Sequence, residues 1–384
     1  MTPRERMRNA ASHLPVDRPP LDLGSTVNSS ITKPAYKKLC AHLGLDEYAE
    51  TELISKAMQV VIPAEEVLKR LNIDTRPVYC NPPDHDETKI VSEDEFIDEW
   101  GIRFKAAYRN DELLYFDVVD SPLADASTAQ DIETHDWPAP EDPGRFRRLR
   151  EKAKRLYEET DFAVVGHMGD TSIYQLCWDL RGMEQFFMDM LIDKAIAKAL
   201  LEKVYQIQAR KMEQYLQEVG DYLDVVCVGD ELAGQTGPLT SLELYREMVL
   251  PYHSAYFSLI KSKTRAKLHL HTCGAVQEFI DDLADIGVDI VNPMQVSAQG
   301  MDPGYLKRTF GDKICFWGGI DTQRLLPNGT SKEVAENVVA MWNIMKENGG
   351  YILGAVHNIQ DGVPPENIVA MFDTAAGLGS WNPP

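Results

Sequence analysis

From residue 160 onward the chain repeats one unit, a short apolar run followed by a segment of helix length. The runs are Phe162-Ala163-Val164-Val165-Gly166, Leu223 to Gly229, Lys267 to His271, Asp285 to Asn292, Lys313 to Trp317 and Tyr351 to Val356. Between them lie stretches that read as helices, among them Glu184 to Val219 and Ser241 through a turn near Pro251 to Lys263. Apolar strands separated by helices pair in parallel with both faces covered. Five or six such units after residue 160, with two or three before it, predict an eight-stranded (β/α)8 TIM barrel. An open, doubly wound sheet is the alternative, because periodicity does not show closure.

The earlier part of the chain supplies the remaining units and an insertion. Pro3 to Ser12 reads as a short helix, Leu21-Asp22-Leu23-Gly24 as a first strand, and a helix opens near Thr32 with Pro34 in its first turn. A further helix covers Pro63 to Leu71, with Val67, Leu68 and Leu71 on one side. Two alternating runs, 101–108 and 113–119, flank Asn110-Asp111 and predict a hairpin. Trp137 to Pro143 is a proline-rich linker back to the main body. The expected organisation is therefore one barrel domain, 1–384, with residues 77–140 as an inserted hairpin and linker region.

A net charge of -21 disfavours nucleic acid and anionic membrane as partners. No apolar run approaches the roughly 20 residues that cross a bilayer. Met1-Thr2-Pro3-Arg4-Glu5-Arg6 lacks the apolar core of a signal peptide, so a cytoplasmic location is expected. The six cysteines have no framework spacing, which suggests free thiols.

In a β/α barrel the chemistry lies at the carboxyl ends of the strands. Here those ends carry His167 and Asp170, Asp230 and Glu231, His271 and Cys273, Asn292 and Gln295, Trp317 and Asp321, and His357, Asn358 and Gln360. Side chains alternate along a strand, so His269, His271 and Cys273 share one face while Leu268 and Leu270 take the other. Glu231, His271, Cys273 and His357, from three strand ends, form a mixed O, N, S, N set suited to zinc. The competing reading of His271 and Cys273 is a hydrogen-bonded core histidine beside a structural thiol. His269 lies deeper and reads as a supporting or barrel-filling residue. There is no P-loop, no Gly-x-Ser-x-Gly elbow and no dinucleotide fingerprint.

Several of these stretches together resemble the uroporphyrinogen decarboxylase superfamily. They are Asp230-Glu231 with Gly237-Pro238 and Tyr245-Arg246-Glu247, His271-Thr272-Cys273-Gly274, Val291-Asn292-Pro293-Met294-Gln295, Phe316 to Asp321, and Val356 to Gln360 with Val363-Pro364-Pro365-Glu366-Asn367. The resemblance implies a β/α barrel and one of two chemistries. Cofactor-free decarboxylases carry an N-terminal Gln-Ala-Gly-Arg-Tyr segment and an aspartate that meets the pyrrole nitrogens. The corresponding stretches here read Ser12 to Arg18 and Ala57 to Pro63, without either feature. The other branch, zinc-dependent methyltransferases that work with a corrinoid carrier protein, has a His-x-Cys pair that His271 and Cys273 match. Its thiol-methylating members bring a second cysteine near the last strand, where this chain offers His357.

The resemblance therefore implies a methyl transfer between a small substrate, a methoxylated compound (aromatic ones included) or a thiol, and the cobalt of a corrinoid (cobalamin) on a partner protein. Glu231, His271, Cys273 and His357 are expected at the metal, and His167, Asp230, Asn292 and Trp317 around the substrate. A metal-free decarboxylase-like lyase and a barrel serving only as a binding protein are the competing functions. The oligomeric state is left open, a homodimer included.

Overall fold

The computed structural model describes residues 1–380 apart from 86, 110, 111, 170 and 171. Seven strands form one parallel sheet: β1 (Thr75–Tyr79), β2 (Ala163–His167), β3 (Val225–Gly229), β4 (Lys267–His271), β5 (Ile290–Met294), β6 (Cys315–Ile320) and β7 (Tyr351–Ala355). Their spatial order follows the sequence from β1 to β7. The two edges are joined by the segment Pro20–Asp22. Its Leu21 carbonyl accepts the Asp74 N–H beside β1, and on the other side Leu353 of β7 bonds to Pro20 and Asp22. That closes a barrel of eight positions, in which the eighth is a single parallel bridge, Leu21 to Leu353, instead of a strand over Leu21–Gly24. Gly24, at φ +81, turns the chain away at that point.

The barrel's N-terminal end is plugged by helix α1 (Pro3–Ala10), whose Met7 and Ala10 pack on inward residues such as Val165, Cys227, Cys315 and Trp317. The outward residues of the same strands, Leu268 and Leu270 among them, belong to the larger core under the helices. No helix among the described residues is long and apolar enough to cross a membrane.

Three boundaries differ from the sequence expectation. β1 was not foreseen, and three of its residues fall inside the 77–140 segment, because Arg76 and Pro77 interrupt the apolar pattern. The Asp285–Asn292 run divides into the end of a helix, Ile280–Asp285, and β5 from Ile290. β6 continues through Gly318 and Gly319 to Ile320, past the expected strand end at Trp317.

The insertion holds the expected antiparallel pair, Arg103–Arg109 with Glu112–Asp120, extended by Lys89–Ser92 and Glu95–Ile97 into a four-stranded sheet. The turn at Asn110-Asp111 lies outside the described residues. Phe96, Phe104 and Phe116 pack together on this sheet, and the Phe116 N–H donates to the Ala57 carbonyl to dock it.

Candidate metal centre at the barrel mouth

β4 pairs with β3 so that His271 stands beside Gly229, and with β5 so that it stands beside Asn292. Both His269 and His271 face inward, as the alternation requires. Beyond the strand, the Thr272 N–H donates to the Asn292 carbonyl at 2.6 Å, and the Gly274 N–H to the Gln295 side chain at 2.6 Å. Gly274 has φ +87, and a Cβ there would lie 2.4 Å from the Gly234 carbonyl oxygen and 2.6 Å from that of Ala233. Only glycine fits this close approach, which presses the Cys273 turn against the loop after β3.

The result is a cluster of donors. Cys273 Sγ lies 3.3 Å from His271 Nε2. One donor atom each from His271, Cys273 and His357 falls within 4.8 Å of the others. Glu231 borders this group: one oxygen accepts the Cys273 N–H at 2.8 Å and the other is 3.6 Å from His271 Nε2. Asn292 orients the ring. Its Nδ2 donates to the Trp317 carbonyl at 3.3 Å, which turns its Oδ1 to accept from His271 Nδ1 at 2.5 Å. His271 Nε2 therefore carries the lone pair and points it at the sulfur and His357.

Burial disfavours the charged form of each of these groups. It pushes His357 down to about 4, and, with the neighbouring His357, sends His271 well below the usual imidazole range. Burial, aided by the Glu231 charge, raises the Cys273 thiol. Burial also pushes Glu231 up to about 7, although the Cys273 N–H opposes the shift. A divalent cation would invert that balance, favouring thiolate and carboxylate. Tetrahedral zinc bonded to nitrogen and sulfur holds its ligand atoms roughly 3.3–3.7 Å apart. The 3.3 Å nitrogen to sulfur separation falls in that range. The N, S, N donor set with a carboxylate beside it thus fits zinc in chemistry, and the His271–Cys273 pair fits it in spacing.

The other anticipated residues have different placements. His167 ends β2, where its Nδ1 accepts the Gly169 N–H at 2.8 Å and its ring tilts toward Tyr79. Asp230 does not face the opening. It is 3% exposed and accepts from the N–H groups of Ile173, Tyr174 and Gln175 at the start of helix α2 (Tyr174–Arg181), and lies 2.9 Å from His253 Nε2. That saturation makes it a helix cap. Trp317 is fully buried inside the barrel, edge-on to His269 at 5.0 Å, so it supports the site from below. His269 is pushed down to about 3 by burial and fills the barrel, as expected. Asp321 caps the following turn through three backbone N–H groups. Asp170 lies outside the described residues.

Sequence reasoning missed the space beside the cluster, a cavity of about 330 Å³ that His357 shares with Gln175, Asp179, Gln360, Phe104 and Phe116. Three larger cavities, about 750, 740 and 440 Å³, contain none of the cluster residues.

Residues 118–378 match the family described as Uroporphyrinogen decarboxylase (URO-D). The chain belongs to that family. Its relatives include both of the chemistries the motifs suggested. It is 29% identical over 135 residues to a methylated-thiol--coenzyme M methyltransferase of Methanosarcina mazei, an alignment covering 34% of this chain and 32% of that enzyme. It is 22% identical over 304 residues to a uroporphyrinogen decarboxylase of Prochlorococcus marinus, covering 70% of this chain and 80% of the relative. Among solved structures, a methyltransferase from Methanosarcina mazei superposes with a TM-score of 0.67 at 16% identity over 98% of both chains, which establishes the shared barrel fold.

Proposed function

We propose that the protein is a zinc-dependent methyltransferase that moves a methyl group between a small substrate and the cobalt of a corrinoid carrier protein. The observation that carries this reading is the gathering of His271, Cys273 and His357 donor atoms at the mouth of the barrel. The methyltransferase relative supports it. His271, Cys273 and His357 would hold the ion, with Glu231 as the fourth ligand or as the acceptor that steadies the Cys273 turn. Bound zinc would supply Lewis acidity, polarising the atom that carries the methyl group and stabilising the charge left on it.

The chain's own residues prepare that chemistry. Asn292 keeps His271 in the tautomer whose Nε2 is free to bind. Gln295 and Glu231 tie down the backbone on either side of the sulfur. One thiolate with two imidazoles leaves a metal more Lewis-acidic than a site with two thiolates. Such a site favours an oxygen leaving group, so a methoxylated compound, aromatic ones included, is the preferred donor and a thiol the second choice. The mouth must also admit the corrinoid domain, which makes a carrier protein the expected partner.

A decarboxylase reading draws on the longer alignment to the Prochlorococcus enzyme. Such a reaction needs cations for the substrate's carboxylates, yet among the described residues no lysine or arginine lines the cavity beside His357. The direct experiment mixes cob(I)alamin with methoxylated aromatics or methylated thiols and follows methylcobalamin formation by absorbance. Turnover by zinc-loaded protein that stops on chelation and returns with zinc is the expected result. Equal turnover after chelation, or release of carbon dioxide from a porphyrinogen, would defeat the proposal.

A further inference from the structure

The cavity beside His357 has an uneven chemistry that narrows the substrate. Phe104 stands opposite Val118 and Ala106 opposite Phe116 in the inserted sheet, so Phe104 and Phe116 share the face turned to the barrel. Phe96 stacks on Phe104 at 4.9 Å and meets Phe116 edge-on at 5.2 Å, which fixes both rings. On the opposite wall, Gln175 and Asp179 come from α2.

Of the two carboxylates bordering the space, Asp117 is on the outward face of its strand, paired in register with Lys105. Asp179 is thus the carboxylate turned inward, and among the described residues no lysine or arginine lines the cavity to meet it. The aromatic wall already shows an affinity for cations, since the Lys56 ammonium sits 4.6 Å from the Phe96 ring centre and 5.9 Å from that of Phe116.

We infer that this cavity recognises an alkylammonium group carried by the substrate, held between the faces of Phe104 and Phe116 and the Asp179 carboxylate, while the substrate's methyl-bearing atom reaches the cluster at His357. The word substrate rests on the methyltransferase reading; the binding preference rests on the cavity alone. Its volume, about 330 Å³, is at the small end of ligand pockets and suits a compact molecule. A carboxylated substrate would meet Asp179 and no counter-charge. Burial, with Asp230 and Asp98 adding repulsion, pushes Asp179 up to about 7. A bound ammonium group would reverse that shift and release a proton near neutral pH.

The test is calorimetric titration of the full chain, stripped of metal with chelator, at pH 7 with three probes: benzyltrimethylammonium, anisole and benzoate. Removing the metal separates this question from the zinc reading, which has its own assay. The expected result is binding of benzyltrimethylammonium at least about tenfold tighter than anisole, a 1.4 kcal/mol difference. Benzoate should not bind, and the heat should vary with buffer ionisation enthalpy as a proton leaves. Asp179→Asn should remove both the preference and the proton release. If that variant does not fold, Phe104→Leu should weaken the ammonium probe while leaving anisole nearly unchanged. Anisole or benzoate binding as tightly as the ammonium probe, or a preference unchanged in the foldable variant, would overturn the inference.

Discussion

The two ends of the barrel handle buried polar groups in opposite ways. At the N-terminal end, the buried carboxylates Asp74 and Asp224 have arginine partners. The Asp74 carboxylate, fully buried, meets Arg6 and Arg18 at 2.7 Å each and accepts the Leu21 N–H at 2.8 Å. Asp224 meets Arg8 at 2.6 Å and accepts the Val164 N–H at 2.7 Å. At the opposite mouth, His271, Cys273, His357 and Glu231 are packed together, and burial disfavours the charged form of each. Saturated charges fasten α1 and the closing segment to the barrel. The groups at the mouth bond mainly to one another, an arrangement that, under the zinc proposal, leaves them for an ion. The same contrast appears within one dipeptide, since Asp230 is fully used by α2 while its neighbour Glu231 reaches the cluster.

The largest effect expected from this contrast is on stability at the saturated end. Asp74→Ala leaves two arginines without their buried partner and should lower unfolding free energy by about 3–5 kcal/mol. Denaturant titration would show it, and metal affinity measured on the folded protein should not change. Asn292→Ala should do the reverse, weakening zinc binding by roughly 10–100-fold in a chelator competition through loss of the His271 orientation. Its effect on stability should be smaller than that of Asp74→Ala.

The pH dependence of zinc affinity sharpens the picture of the mouth. Both imidazoles are neutral at neutral pH, because burial depresses their folded values, His357 to about 4 and His271 well below the usual imidazole range. The thiol is raised, so zinc must displace its proton, and affinity should climb up to about tenfold per pH unit. If Glu231 is a ligand, a second proton leaves below about 7, and the slope should steepen from one proton to two on going into acid. A slope of one throughout would reduce Glu231 to a hydrogen-bond acceptor. The smallest effect is expected from Arg8→Ala, since that side chain is half exposed and Asp224 keeps Arg4 at 3.4 Å. The expected loss is about 1 kcal/mol or less.

Much of the barrel was legible because buried parallel strands are nearly continuous apolar runs, as in Val225–Gly229 and Tyr351–Ala355. β1 escaped because Arg76 faces outward over the Phe162 ring, at 3.6 Å, and Pro77 breaks the pattern. The His271 and Cys273 pairing followed from strand alternation, and its proximity to His357 from the rule that strand ends converge. Asp230 misled because a strand-end aspartate looks the same whether it faces a substrate or caps the next helix. Trp317 was placed at a strand end because the apolar run stops there, whereas Gly318 and Gly319 both pair with β7 and carry the strand past the tryptophan. The aromatic wall of the cavity depends on how the inserted sheet folds back over the mouth, a long-range packing that no local pattern encodes.

Metal analysis of the protein purified without chelator, alongside Cys273→Ala, tests the account most directly. About one zinc per chain, falling to near zero in the variant while its fold is retained, is the result the geometry predicts. A wild-type protein that stays empty under zinc-replete conditions, or a variant that keeps its zinc, would contradict it.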